Sequence, residues 1–333
     1  MHPTLRAAAE RRLGVFTAAD VRAAGYDHAE VRRLCSSGAW ARLRRGVYVG
    51  ADELASAETS DRRHELDAVA VLAALDRPTA ALSHLTACRL WGLPVRRDAD
   101  PLVRLTDPTH TRTGRGFRVT CGPLTDDEVR TRGPFRLTSP ARTLADCARD
   151  GGLDDAVVAM DAALLLRTLS GSELDAAVSA AARWPGGPRA RRAAALAVGR
   201  AESPLETRGR LRIVGAGLPH PELQVEIRSD GCLVAVVDAW FDDAAVAVEF
   251  DGKVKYTEPW RGRTPAQVLW EEKEREDLLR SLDIGVVRIT DTDLYSRWPR
   301  TEARLLDLTS RPGPALRRFT VTPRPQDRLR YRR

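Results

Sequence analysis

Apolar positions in the first fifty residues follow three short helical repeats and then change to alternation. The repeats cover roughly 4–13, a stretch opened by the capping pattern Thr17-x-x-Asp20 and stopped at Gly25, and a third opened by Asp27-x-x-Glu30 and stopped near Gly38. Residues 39–49 then read as two strands about a turn at Arg45-Gly46. Three helices followed by a hairpin predict a winged helix. Its third helix would enter a major groove, where the exposed side chains His28, Arg32, Arg33 and Ser36 reach bases or phosphates, while Arg42, Arg44 and Arg45 on the wing meet the backbone.

Residues 51–200 are mostly helical by pattern, with Ala/Leu-rich repeats at 61–75, 139–149, 153–168, 171–183 and 188–200. Short strands are expected at 101–106, 117–121 and 134–137. From Ala201 the order becomes helix, three strands, helix, strand. Ser203 caps a helix with Pro204 in its first turn, and this helix carries Glu206 as far as Gly215 or Gly217. Strands are expected at about 223–228, 232–240 and 244–250, a charged helix at 264–282 and a strand at 285–290.

The hairpin of that last region collects acids. If it turns about Asp242-Asp243, Asp238 falls nearly opposite Ala247 and diagonal to Glu249, and Asp251 shares the face of Glu249. Three carboxylates then converge at the end of a valine-rich hairpin. Their repulsion raises their pKa values unless a cation intervenes, and an all-oxygen set suits Mg2+ or Mn2+. Asp238, Glu249 and Asp251 are the expected metal site, with Asp238 and Glu249 as its principal ligands, and Glu206 is the candidate for a second metal or its water. Hydrolysis of a phosphodiester also asks for a positive group to hold or deprotonate the water. The chain has only three lysines, Lys253, Lys255 and Lys273, all within this region, while its other basic side chains are arginine. They are the candidates for that role.

Charge sharpens this picture more by its distribution than by its sum of +7. Residues 1–50 hold nine Arg against four Asp/Glu and residues 311–333 eight Arg against one Asp, so both ends are basic and the middle is acidic. Beyond Trp298 the Arg/Pro-rich tail suits a flexible arm lying on phosphates. Five dispersed cysteines with no C-x-x-C pair argue against a disulfide framework or a zinc site. His64-Glu65 begins like a zincin motif, but Ala68 stands where the second histidine is required. No P-loop, G-x-S-x-G or dinucleotide fingerprint occurs in a suitable context. No apolar run is long enough to span a membrane and the first residues lack a signal-peptide core, so a cytoplasmic protein is expected.

Two resemblances add to this. The segments Ser83-His84-Leu85-Thr86-Ala87-Cys88-Arg89-Leu90-Trp91-Gly92-Leu93-Pro94 and Thr138-Ser139-Pro140-Ala141-Arg142-Thr143-Leu144-Ala145-Asp146, with the winged helix before them, make residues 10–150 resemble AbiEi-type antitoxins of type IV toxin–antitoxin systems. That resemblance implies a DNA-binding regulator and a cognate toxin as partner. Residues 203–298 resemble the very-short-patch-repair-like branch of the PD-(D/E)XK nucleases. The matching segments are Ser203-Pro204-Leu205-Glu206, Gly217-Leu218-Pro219-x-Pro221-x-x-Gln224, Val237-Asp238-Ala239-Trp240, Val248-Glu249-Phe250-Asp251-Gly252, Glu272-Lys273-x-Arg275 and Val287-Arg288-Ile289-Thr290. In that branch Asp-Gly follows the glutamate, and a histidine commonly stands where this chain has Lys255.

The expected fold is α/β, α+β overall: a winged helix at 1–50, an AbiEi-like helical middle region with short strands at 51–200, a restriction-endonuclease-like three-layer α/β core at 201–300 and a basic tail at 301–333. Two functions stay open. One is a Mg2+- or Mn2+-dependent endonuclease acting on DNA in phage defence or repair. The other is an AbiEi-like regulator or antitoxin whose nuclease-like domain is an inactive scaffold.

Overall fold

The structure, a computed structural model, describes residues 1–60, 62–252 and 274–332. Local capping starts its first helices where the sequence predicts them. After α1 (Pro3–Glu10), α2 (Ala18–Ala23) and α3 (His28–Ser36) each open in a capping box. Thr17 and Asp20 exchange side-chain-to-backbone bonds of 3.2 and 2.7 Å, and Asp27 and Glu30 exchange bonds of 2.8 and 2.9 Å. Each box satisfies two backbone N–H groups that a helix start otherwise leaves unpaired. β2 (Trp40–Arg44) and β3 (Val47–Gly50) form the wing, which turns through Gly46 at φ +73°. A strand absent from the expectation, β1 (Val15–Thr17), pairs with the other edge of β3. Three residues carry too little alternation to announce a strand.

The contacts divide the chain into two units, Met1–Gly151 with Ser172–Ala190, and Gly152–Gly171 with Arg191–Arg333. In the first unit the winged helix continues into α4 (Ala51–Thr59), α5 (Arg63–Leu75), β4 (Ala81–Leu82), α6 (His84–Leu90), β5 (Val103–Asp107), β6 (Arg112–Gly114), β7 (Phe117–Cys121), β8 (Val129–Arg132), β9 (Phe135–Thr138) and α7 (Pro140–Asp150). The short strands assemble into one sheet of order β6-β7-β5-β4-β9-β8. Val15 of β1 and Val47 and Val49 of the wing share a core with Leu66, Val69, Leu105, Phe117 and Leu137. The helices expected next are α8 (Leu153–Leu165), which belongs to the second unit, α9 (Gly171–Ala180), which belongs almost wholly to the first, and α10 (Gly187–Leu196), within which the division at Ala190 falls.

The second unit is built on a sheet of order β13-β12-β11-β10-β14. Its elements are α11 (Pro204–Gly215), β10 (Glu222–Ser229), β11 (Cys232–Phe241), β12 (Val246–Asp251), a helix at 274–281 (α12), β13 (Gly285–Thr290), α13 (Asp291–Tyr295), α14 (Trp298–Thr309) and β14 (Thr320–Pro323). β12 and β13 run parallel and the other pairs antiparallel. α11 approaches β12 closely because residue 209 is glycine. A Cβ there would lie 2.0 Å from the Phe250 ring.

The tail is not the free arm that its composition suggests. β14 adds to the edge of β10, and Arg324 and Arg332 reach the fully buried Glu202 at 2.9 and 3.1 Å. Arg328 pairs with Glu226 at 3.4 Å and Arg317 with Asp242 at 2.8 Å. Glu202 and Glu226 are removed from water and need counter-ions, which Arg324, Arg332 and Arg328 supply.

Candidate functional site

Two groups of side chains stand out, one in each unit. On α3, Val31 and Leu34 turn inward against Phe16, Val21 and Trp40, whose aromatic members sit edge to face at 4.8 Å. The helical period therefore turns His28, Arg32 and Ser36 outward on one stripe, with Arg33 beside them, and all four are exposed. Arg33 lies 3.9 Å from Glu30, and the Ser36 hydroxyl donates to the Arg33 carbonyl. Arg42 and Arg45 are exposed on the wing. Arg44 is half-buried: its guanidinium donates to the Arg115 carbonyl at 2.8 Å and lies over the Phe117 ring.

In the second unit the carboxylates meet, but in a register different from the expected one. The turn takes four residues, Asp242 to Ala245, with Ala245 at φ +52° donating back to the Asp242 carbonyl. Phe241 faces Val246 and Ala239 faces Val248, so one further step sets Asp238 opposite Glu249 rather than Ala247. A shift of two residues keeps every side chain on its own face, which is why the facing carboxylates survive the error.

Each acid is held by identifiable partners. Asp238 accepts from the Phe250 N–H at 2.8 Å and from the Gln224 amide at 3.1 Å. The same Gln224 nitrogen donates to Glu206 at 3.0 Å, and Arg324 donates to the Gln224 oxygen, which orients the amide. Glu206 is buried and also accepts from the Glu202 N–H at 2.7 Å and the Ser203 hydroxyl at 2.9 Å. Burial, with the charge of Asp238 next, pushes its carboxyl up to about 8, against the pull of those three donors. Burial likewise raises Glu249. Arg275, at 3.0 Å, and Arg288, at 3.6 Å, oppose that rise, while Asp238 and Asp251 add to it.

Arginine therefore supplies the cation that the acid cluster requires. Arg288 sits directly across from Glu249 in the parallel β12–β13 register, and it reaches Asp251 at 4.0 Å and Glu276 at 3.3 Å. The oxygen chemistry suits Mg2+ or Mn2+. The arrangement, however, does not fit the ion as it stands, because both Glu249 oxygens are engaged by guanidinium groups. Among the described residues no group of three His, Cys, Asp or Glu side chains is placed to hold a metal. Lys253, Lys255 and Lys273 lie outside the described residues.

Sequence reasoning passed over Gln224, Arg275 and Arg288 as functional residues. Gln224 carried a signal, a polar residue between the apolar Leu223 and Val225 of an expected strand, and the structure places it at φ +53°. The two arginines stood in segments that the sequence had singled out, Glu272-Lys273-x-Arg275 and Val287-Arg288-Ile289-Thr290, but their pairing with Glu249 from α12 and β13 is not visible in a linear pattern. His84, in the first unit, is buried on Ser83 at 2.8 Å, and burial holds its imidazole down to about 4.

Residues 3–49 match the family described as transcriptional regulator, AbiEi antitoxin. Two proteins of Mycobacterium tuberculosis, Uncharacterized protein Rv2248 and Uncharacterized protein MT2308, are each 31% identical to the chain over 256 residues. These alignments cover 72% of the chain and 86% of each relative. Among the described residues no helix is long and apolar enough to cross a membrane. The winged-helix start and the extent of these alignments together show that the chain belongs to the family of these two mycobacterial proteins, with an N-terminal module similar to AbiEi antitoxin regulators.

Proposed function

We propose that the protein is a DNA-binding regulator of the antitoxin type that contacts duplex DNA through α3 and the β2–β3 wing. The observation carrying this reading is the outward stripe of His28, Arg32, Arg33 and Ser36 on a helix whose other face is packed on Trp40, inside the segment that matches AbiEi regulators. Such a helix places its first residues against base edges while wing cations contact phosphates. A cognate toxin encoded beside the gene is the protein partner this reading implies. Binding to duplexes from the region upstream of the protein's own gene tests it. Arg32→Ala with Arg33→Ala should weaken binding at least tenfold and lower the slope of log K against log salt by nearly 2, about 0.9 per lost phosphate contact. Wild-type protein that binds no such duplex at low salt would overturn the reading.

A second reading, a metal-dependent endonuclease, is favoured by Asp238 facing Glu249 with Gln224 bridging Asp238 to Glu206. It requires Arg275 to release Glu249. Plasmid nicking with Mn2+ that Asp238→Ala and Glu249→Ala each abolish would support it. An unchanged plasmid, with no melting shift in Mg2+ or Mn2+, would remove it.

A further inference from the structure

The basic surface of the first unit does not end at the wing. The β6–β7 hairpin abuts it. Arg44 donates to the Arg115 carbonyl at 2.8 Å, and the guanidinium carbons of Arg44 and Arg112 lie 5.2 and 5.8 Å from the Phe117 ring centroid. Two glycines permit this contact. A Cβ on Gly114 would lie 2.3 Å from the Phe117 ring, and Gly116 turns the chain at φ +73° with the Arg44 guanidinium 3.4 Å from where a Cβ would stand. Arg112 and Arg115 are exposed, as are Arg42 and Arg45 on the wing.

Among the described residues none of Arg42, Arg44, Arg45, Arg112 and Arg115 forms an ion pair with a carboxylate. Asp67, whose charge reaches Arg44, is itself paired with Arg63 at 3.3 Å. Like charges gathered on two touching hairpin tips repel each other, and a polyanion relieves that repulsion. Duplex DNA presents phosphates at about one per 1.7 Å of axis, dense enough to serve both tips.

We propose that Arg112 and Arg115, with Arg44, form a second phosphate-contacting element beside the wing, so that the protein holds the backbone of double-stranded DNA on two adjacent hairpin tips. The proposal rests on the DNA-binding reading and extends it to residues outside the winged helix. Such contacts are blind to sequence. They strengthen binding and steepen its salt dependence without changing which site is preferred.

The test is a titration of full-length protein into a labelled duplex across a range of NaCl concentrations, with a scrambled duplex alongside. Arg112→Ala with Arg115→Ala should lower the log–log salt slope by about 1.8 and weaken binding about tenfold. The ratio between the two duplexes should stay the same. Arg118→Ala is the control, because Arg118 is exposed while its neighbours Phe117 and Val119 are buried, which puts it on the other face of β7. It should leave the slope unchanged. Should the double variant melt early through loss of the Arg112–Phe117 stacking, Arg115→Glu alone, at an exposed turn, asks the same question. A wild-type protein that binds duplex DNA with a slope the variants do not alter, or an Arg118→Ala loss as large as theirs, overturns this proposal alone. Wild-type protein that binds no duplex removes the DNA-binding reading as well.

Discussion

Replacing Glu206 by glutamine should change how the stability of the second unit depends on pH. Burial and Asp238 raise the Glu206 carboxyl from 4.5 to about 8 in the fold. Between those values the folded chain keeps a proton that the unfolded chain has released. The stabilisation is therefore complete below about 4.5 and is lost as pH rises toward 8. Glu249, also raised, acts in the same direction. The histidines act in the opposite sense: His64 and His84 are held down to about 4, so their stabilisation is complete above 6.5 and lost as pH falls below it. Measurement from pH 6.5 to 8 leaves them out. Over those 1.5 pH units one carboxylate costs up to about 2 kcal/mol, at about 1.4 kcal/mol per unit. For a domain of 150–250 residues this is a fall of roughly 4–8 °C in melting temperature. Glu206→Gln cannot release a proton and should flatten that slope. It should melt lower than wild type at pH 6.5, because an NH2 now faces groups that need an acceptor, at a cost of about 1–3 kcal/mol. The gap should narrow or invert by pH 8.5. Melting curves in EDTA at half-unit pH steps decide the matter, and parallel curves for the two proteins would refute the argument.

Three further outcomes can be checked by thermal melting. Gly209→Ala should destabilise the second unit by about 1–3 kcal/mol through the clash with the Phe250 ring, although alanine favours a helix by about 1 kcal/mol over glycine. A higher melting temperature would show that the close approach is not what glycine serves there. Arg324→Ala removes a 2.9 Å partner from the fully buried Glu202 and should cost up to about 3–5 kcal/mol, moderated because Arg332 also reaches that carboxylate. Its C-terminal segment should become sensitive to limited proteolysis, and an unchanged digestion pattern would argue against docking by this pair. Thr17→Ala breaks the capping box at α2 and should cost about 1 kcal/mol, whereas Thr17→Ser should cost little.

The linear sequence by itself determined the elements that local chemistry specifies. Thr17, Asp27 and Ser203 open helices because a side-chain oxygen three residues ahead of an orphan N–H can satisfy it. Gly46 turns the wing because it adopts a positive φ without strain. These cues were enough for the winged-helix start and for the strands that carry Asp238 and Glu249, since period-two alternation keeps both on one face. Tertiary structure decided what those side chains meet. The four-residue turn set Asp238 opposite Glu249, Gln224 bridged Asp238 to Glu206, and Arg275 and Arg288 neutralised Glu249 from elements 26 and 39 residues further along. The tail arginines, indistinguishable by composition from a phosphate-binding arm, were assigned to Glu202 and Glu226 once β14 had paired with β10. The physical reason is range. Caps and turns act over three or four residues and leave a mark in the local pattern. A charge, by contrast, takes whichever partner the fold brings within about 4 Å, and sequence distance says nothing about that.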